Sequence, residues 1–216
     1  APEPIAAAAA SDSRATAPRH EGPALCAGAD LKERSDGPTD STPMVDALRR
    51  LMDTPRPTIA AVDGAVRAGG IGLMASCDLV VVDRSVTFAL TEVRIGVAAA
   101  IISVPLLRRV SAPRIAAAML PGEPFDAVEA RSIGLITHVT DDVAATVAEL
   151  VAGVRAGATR AVAETKALLT LVPTLPRDEA FDRMASLSTE LFSGPDAAEG
   201  MAAFREKRRP AWHPDA

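Results

Sequence analysis

The chain has 216 residues, 48% hydrophobic and 24% charged, with a net charge of −5. That length buries one sizeable core with at most a small appended unit, and the negative balance excludes a global basic field for nucleic acid. No apolar run reaches membrane-span length and none has the three-part build of a secretory signal, so the sequence reads as a cytoplasmic protein with no membrane partner.

Residues 1–23 are an atypical N-terminal segment, read as disordered or truncated, in which Pro18 and Pro23 oppose helix continuation. Residues 32–43 are polar and turn-rich, the pattern of a surface loop. Helical spacing predicts a helix over 44–52, stopped by Pro55 and Pro57. Buried strands are predicted over 58–62, 79–82 and 85–88, and a helix-like segment over 73–77. A helix is predicted over 98–110, and Ser111 caps another, with Pro113 tolerated in its first turn. Asp126 and Glu129 form a capping-box start for a helix through Ser132, Gly134 ends it, and a strand follows over 135–139.

Beyond residue 141 strands disappear. Helical periodicity covers 143–154, 159–171, 177–192 and 196–207. Strand–helix units followed by an all-helical tail give a mixed α/β core over 24–140 and a helical region over 141–216. The Ala-rich tail suits either an oligomer interface or packing on its own core. With 3% aromatic residues and no Tyr, the core is built from Ala, Val, Leu and Ile. Cys26 and Cys77 sit in apolar settings and read as buried thiols. His20, His138 and His213 are scattered without ligand-like spacing, so no metal site is expected. Arg205, Lys207, Arg208 and Arg209 concentrate positive charge near the C-terminus, for a local anion or as a solvated helix end.

Two glycine-bearing stretches carry the chemistry: Ala27-Gly28-Ala29-Asp30 and Arg67-Ala68-Gly69-Gly70-Ile71-Gly72. The second opens a helix-like segment, where amides lack carbonyl partners and glycines leave the backbone accessible. One amide from each stretch gives a two-point oxyanion hole. The plainer reading is a pair of tight turns with close helix–strand packing.

More residues extend the pattern. They are Leu25-Cys26-Ala27-Gly28-Ala29-Asp30-Leu31-Lys32, Pro57-Thr58-Ile59-Ala60-Ala61-Val62-Asp63-Gly64, and Gly69-Gly70-Ile71-Gly72-Leu73 through Cys77-Asp78. Phe88-Ala89-Leu90-Thr91-Glu92-Val93-Arg94-Ile95-Gly96, Phe125-Asp126-Ala127, Gly134-Leu135-Ile136, Glu199-Gly200-Met201 to Phe204, and Lys207-Arg208 follow in order. Across 24–212 the chain resembles the enoyl-CoA hydratase/isomerase (crotonase) family.

The resemblance implies an α/β fold: a crotonase-like ββα spiral core with a helical C-terminal oligomerisation region. It implies an acyl-CoA thioester substrate, a thioester enolate intermediate, and backbone amides of Ala27 and Gly69 as the oxyanion hole. Ala29, Asp30 and Leu31 would hold the CoA adenine, with Lys32 near its phosphates. Phe204 and Lys207 would close the CoA site, often that of a neighbouring subunit. Coenzyme A enters as part of the substrate, with no prosthetic group. The assembly implied is a homotrimer or a dimer of trimers.

One departure bears on the reaction. Hydratases of this family hold a water between two glutamates. The second maps to Glu92, whereas the first maps to Gly72. A single acid/base suits Δ3 to Δ2 double-bond isomerisation better than hydration, which is left weak. The alternative is a non-catalytic acyl-CoA-binding paralogue that has lost one catalytic glutamate, and the plainer reading of Glu92 is a surface or N-capping carboxylate. Gly72 would widen the pocket or admit backbone to the substrate. Arg67 would pair with Glu92 or a substrate carboxylate, or extend to the surface. The family's N-terminal strands, with their Arg/Asn-Ala-Leu motif, are not found ahead of Ala27.

Overall fold

A computed structural model describes residues 24–26 and 40–216 of the chain. Among these residues the strands form two sheets. In one, β2 (Ile59–Val62) lies parallel to β4 (Leu79–Asp83), with Ile59 opposite Leu79 and Val62 opposite Val82. In turn, β4 lies parallel to β7 (His138–Thr140), with Val82 opposite Val139. All of β2 and the centre of β4 are buried, and their runs are apolar without alternation, as suits parallel strands covered on both faces.

The other sheet has β1 (Ala24–Cys26), β3 (Ala65–Arg67) and β5 (Thr87–Ala89) side by side and parallel, with β6 (Phe125–Asp126) antiparallel at the edge. Phe88 and Phe125, facing each other across the last pair, stack with ring centroids 5.4 Å apart. The predicted strands over 58–62 and 79–82 are β2 and β4. The one predicted over 85–88 starts later, as β5, because Asp83 Oδ1 accepts from Ser85 N (2.8 Å) and closes a turn there. The strand predicted over 135–139 is displaced to β7, and Leu135 and Ile136 instead enter the core.

Helix starts follow local chemistry. Pro43 opens α1 (Thr42–Asp53), so the loop predicted to run through residue 43 ends earlier. α2 is Gly69–Ala75, α3 Ala100–Arg109 and α4 Ala112–Met119. Ser111 stands at the N-cap of α4 as predicted, but its side chain makes no capping bond. At α5 (Ala127–Ser132), Asp126 Oδ1 accepts from Glu129 N at 2.8 Å, and Gly134 beyond its end has φ +88°. The core between these elements is mostly Val, Leu, Ile and Ala, joined by Phe88, Phe125 and Met74. Asp78 Oδ2 accepts from Thr58 N (2.7 Å) and Thr58 Oγ1 (2.9 Å), tying the starts of β2 and β4 together.

The chain divides into two compact units, one within Ala1–Thr54 and Thr58–Ala148, the other Pro55–Pro57 with Glu149–Ala216. The tail helices are α6 (Val143–Arg155), α7 (Thr159–Leu171), α8 (Arg177–Phe192) and α9 (Pro195–Glu206), within one residue of their predicted ends. Inside the second unit, buried Lys166 donates to Arg56 O at 3.0 Å, and Trp212 Nε1 donates to Ala156 O at 3.1 Å. No helix among the described residues is long and apolar enough to cross a membrane.

Candidate active site

Three adjacent parallel strands deliver the predicted catalytic segments to one edge of a sheet. β1 ends at Cys26, β3 at Arg67 and β5 at Ala89. The carboxyl ends of parallel strands are where ligands bind in α/β folds, because the connections there can be shaped freely. Ala27 is the next residue after β1; with Ala29, Asp30, Leu31 and Lys32 it lies outside the described residues.

At the end of β3 the backbone turns sharply. Ala68 has φ 44° and ψ −117°, a conformation that L-residues rarely adopt, and it directly precedes α2. Its amide donates to Ala89 O at 3.3 Å, and its carbonyl accepts from Ile71 N at 2.9 Å. Gly69 is thereby the first residue of α2, where an amide has no carbonyl one turn back within the helix. A Cβ on Gly69 would meet Met44 Cε at 2.9 Å, so the missing side chain makes room for α1. The helix begins four residues earlier than the predicted segment over 73–77.

Glu92 stands at the end of β5, after buried Leu90, as the first residue of a 3₁₀ turn, Glu92–Ile95. Gly96 closes the turn at φ 77°, and Val97 N donates to Glu92 O at 3.1 Å. Thr91 holds the N-cap position of that turn, and Glu92 is half-buried. Its Oε2 is buried and, among the described residues, has no hydrogen-bond partner. Most buried polar atoms are paired, so this carboxylate oxygen is an exception among the described residues.

Arg67 does not meet this carboxylate. Its Nη1 donates to Thr87 O (2.6 Å) and Val66 O (2.9 Å), and its Nη2 donates to Thr87 Oγ1 (3.0 Å). The guanidinium therefore splints β3 to β5, which replaces the pairing with Glu92 considered from the sequence. Gly72 does not widen a pocket either. A Cβ there would lie 2.3 Å from Ile102 Cγ2 and 2.7 Å from Ile102 Cβ, so α3 fills that side.

In the second unit, Phe204 is 86% exposed and Lys207 caps α9 at φ 52°. Arg208 is committed internally: its Nη1 and Nη2 hold Glu199 at 2.6 and 3.0 Å, and its Nε reaches Glu206 at 2.6 Å. Arg209 pairs with Asp215 at 2.6 Å. Arg208 and Arg209 of the C-terminal charge cluster are thus held in a structural clasp, with the Lys207 ammonium outside any ion pair among the described residues.

The sequence profile described as enoyl-CoA hydratase/isomerase matches residues 21–215. The chain belongs to the enoyl-CoA hydratase/isomerase family. It is 35% identical over 204 residues to the mevalonyl-coenzyme A hydratase sidH of Aspergillus fumigatus, covering 89% of this chain and 75% of that protein. It is 28% identical over 194 residues to the methylmalonyl-CoA decarboxylase of Escherichia coli, with 85% and 74% covered. The crystal structure of an enoyl-CoA hydratase from Mycobacterium smegmatis superposes with a TM-score of 0.85 at 31% identity, over 93% of this chain and 81% of that one. The fold is therefore the crotonase fold, as the resemblance implied.

Two features of this enoyl-CoA hydratase/isomerase site escaped the sequence. The strain at Ala68 has no signature in a residue type that usually avoids positive φ. The approach of Ile102 to Gly72 joins residues 30 apart, and only the apolar Ile101-Ile102 pair hints that this part of α3 is buried.

Proposed function

We propose that this chain binds an acyl-CoA thioester, holds its enolate on the Ala27 and Gly69 amides, and moves a proton with Glu92. The reaction is isomerisation of a Δ3 to a Δ2 enoyl thioester, with hydration a weak side activity. The observation that carries this reading is the buried, unpartnered Oε2 of Glu92 beside the strand that ends in the Ala68–Gly69 turn.

In this reaction Glu92 takes a proton from C2, and the C2–H electron pair moves into the thioester as an enolate. The two amides bear the charge that develops on the thioester oxygen. The enolate electrons then shift the double bond from C3–C4 to C2–C3, and the Glu92 carboxylic acid returns the proton at C4. One acid/base and no water suffice. Hydration would add a bound water at C3 as well as a proton at C2, and position 72 carries no side chain to hold that water.

Relatives carry names for hydration and for decarboxylation, so this reading rests on the residues at 72 and 92 rather than on family membership alone. The same reading gives Ala29, Asp30, Leu31, Lys32, Phe204 and Lys207 to the CoA portion. A homotrimer or dimer of trimers is proposed to cover Phe181 and Phe192, which are 70% and 68% exposed.

The test is turnover of 3-enoyl-CoA and 2-enoyl-CoA of equal chain length. Faster isomerisation than hydration is expected. Faster hydration contradicts the reading, and tight binding with turnover of neither substrate makes the chain a non-catalytic acyl-CoA binder.

A further inference from the structure

The space that a side chain at position 72 needs is already taken. The nearest atoms to a Cβ there are Ile102 Cγ2 at 2.3 Å, Ile102 Cβ at 2.7 Å and Ile102 Cα at 3.4 Å. Two of these contacts are shorter than any ordinary carbon contact. Ile102 is 5% exposed, in the core and on the well-formed α3. A β-branched side chain in a helix has one strongly preferred χ1, so its Cγ2 cannot rotate away cheaply. Gly72 is itself buried inside α2, between buried Ile71 and Met74, which belong to the same core cluster as Ile102.

We infer that Ile102 is a specificity-determining residue for the reaction. By filling the side-chain space of position 72 it bars a second carboxylate, with the water such a carboxylate would hold, and leaves Glu92 as the acid/base. The absence of a hydratase's first glutamate, the one that maps to position 72, is then a property of two residues. Gly72→Glu alone cannot restore hydration, whereas removing the Ile102 side chain at the same time can. This rests on the proposed isomerase reading.

The experiment has a packing arm and a reaction arm. Melting temperatures of wild type, G72A, I102G and G72A/I102G are compared without substrate. G72A is expected to melt well below wild type, and the same change in the I102G background to leave the melting temperature unchanged or raise it. An equal loss in both backgrounds overturns the interlock. In the reaction arm, G72E/I102G is expected to hydrate 2-enoyl-CoA roughly 100-fold faster than I102G, the scale of one positioned acid/base.

No gain over I102G, with wild type active on 3-enoyl-CoA, overturns the specificity role alone. Failure of G72E/I102G to fold overturns it too, since relief of the contact is what the pairing requires. Wild type that turns over neither isomer overturns the functional reading itself, and the packing arm still reports on the interlock.

Discussion

The Ala68 amide donates to the Ala89 carbonyl at 3.3 Å, joining the exit of β3 to the exit of β5. The residue just ahead of Gly69 and the strand that leads to Glu92 are thus joined by a backbone bond. Ala68 holds φ 44° in doing so, and such conformations store about 1–3 kcal/mol. Glycine adopts them without strain. Ala68→Gly is therefore expected to raise the unfolding free energy in urea by about 1 kcal/mol, the net of relieved strain and a more flexible unfolded chain. Turnover should fall in the same variant, because the peptide ahead of Gly69 gains freedom. A loss of stability would show that Ala68 is unstrained.

Arg109 ties the end of α3 to two other parts of the chain. Its Nη1 donates to Cys77 O and its Nε to Leu135 O, both at 2.6 Å, so one guanidinium holds the chain just after α2 and the chain before β7. Burial pushes the Arg109 pKa below its ordinary value, and the nearby Asp78 carboxylate opposes the shift. Arg109→Met should destabilise the protein by about 2–4 kcal/mol, the loss of two charge-assisted bonds. Arg109→Lys should recover only part of this, since an ammonium lacks the fork that spans both carbonyls. Equilibrium unfolding of the two variants checks the order.

The C-terminal clasp should open in acid. Arg208, first, and then the Ala211 amide hold the Glu199 pKa down to about 2, from an ordinary value of 4.5. A carboxylate depressed on folding contributes stability that is complete above its unfolded pKa and is lost as pH falls through the folded one. The window is therefore pH 4.5 down to about 2. Trp212, the chain's single tryptophan, follows the clasp and donates to Ala156 O, so its fluorescence reports the opening. Glu199→Gln should show the opened spectrum already at neutral pH. An acid transition of unchanged position in that variant would assign it to another group.

Much of this architecture was legible in the residues. The tail helices fell within one residue of expectation because their apolar periodicity runs for three turns or more, and the Asp126–Glu129 cap was visible as a local pattern. By contrast, β1, β3 and β6 have three residues or fewer, too short for a period-two signal, and tertiary pairing alone makes them strands. At the site, the sequence singled out Glu92, Gly69 and Gly72 through ordered motifs. It did not show that Gly72 faces Ile102, because that contact depends on how two helices pack, nor that Arg67 turns to Thr87 across a strand pair.

The most direct measurement is turnover of 3-enoyl-CoA by wild type and Glu92→Gln under the same conditions, with acyl-CoA binding measured alongside. Glutamine keeps the shape of the side chain at the buried Oε2 but cannot carry the proton between C2 and C4. The expected result is retained binding with isomerisation slowed by roughly 100- to 10,000-fold. Isomerisation by Glu92→Gln at the wild-type rate would contradict the role of Glu92 as the acid/base.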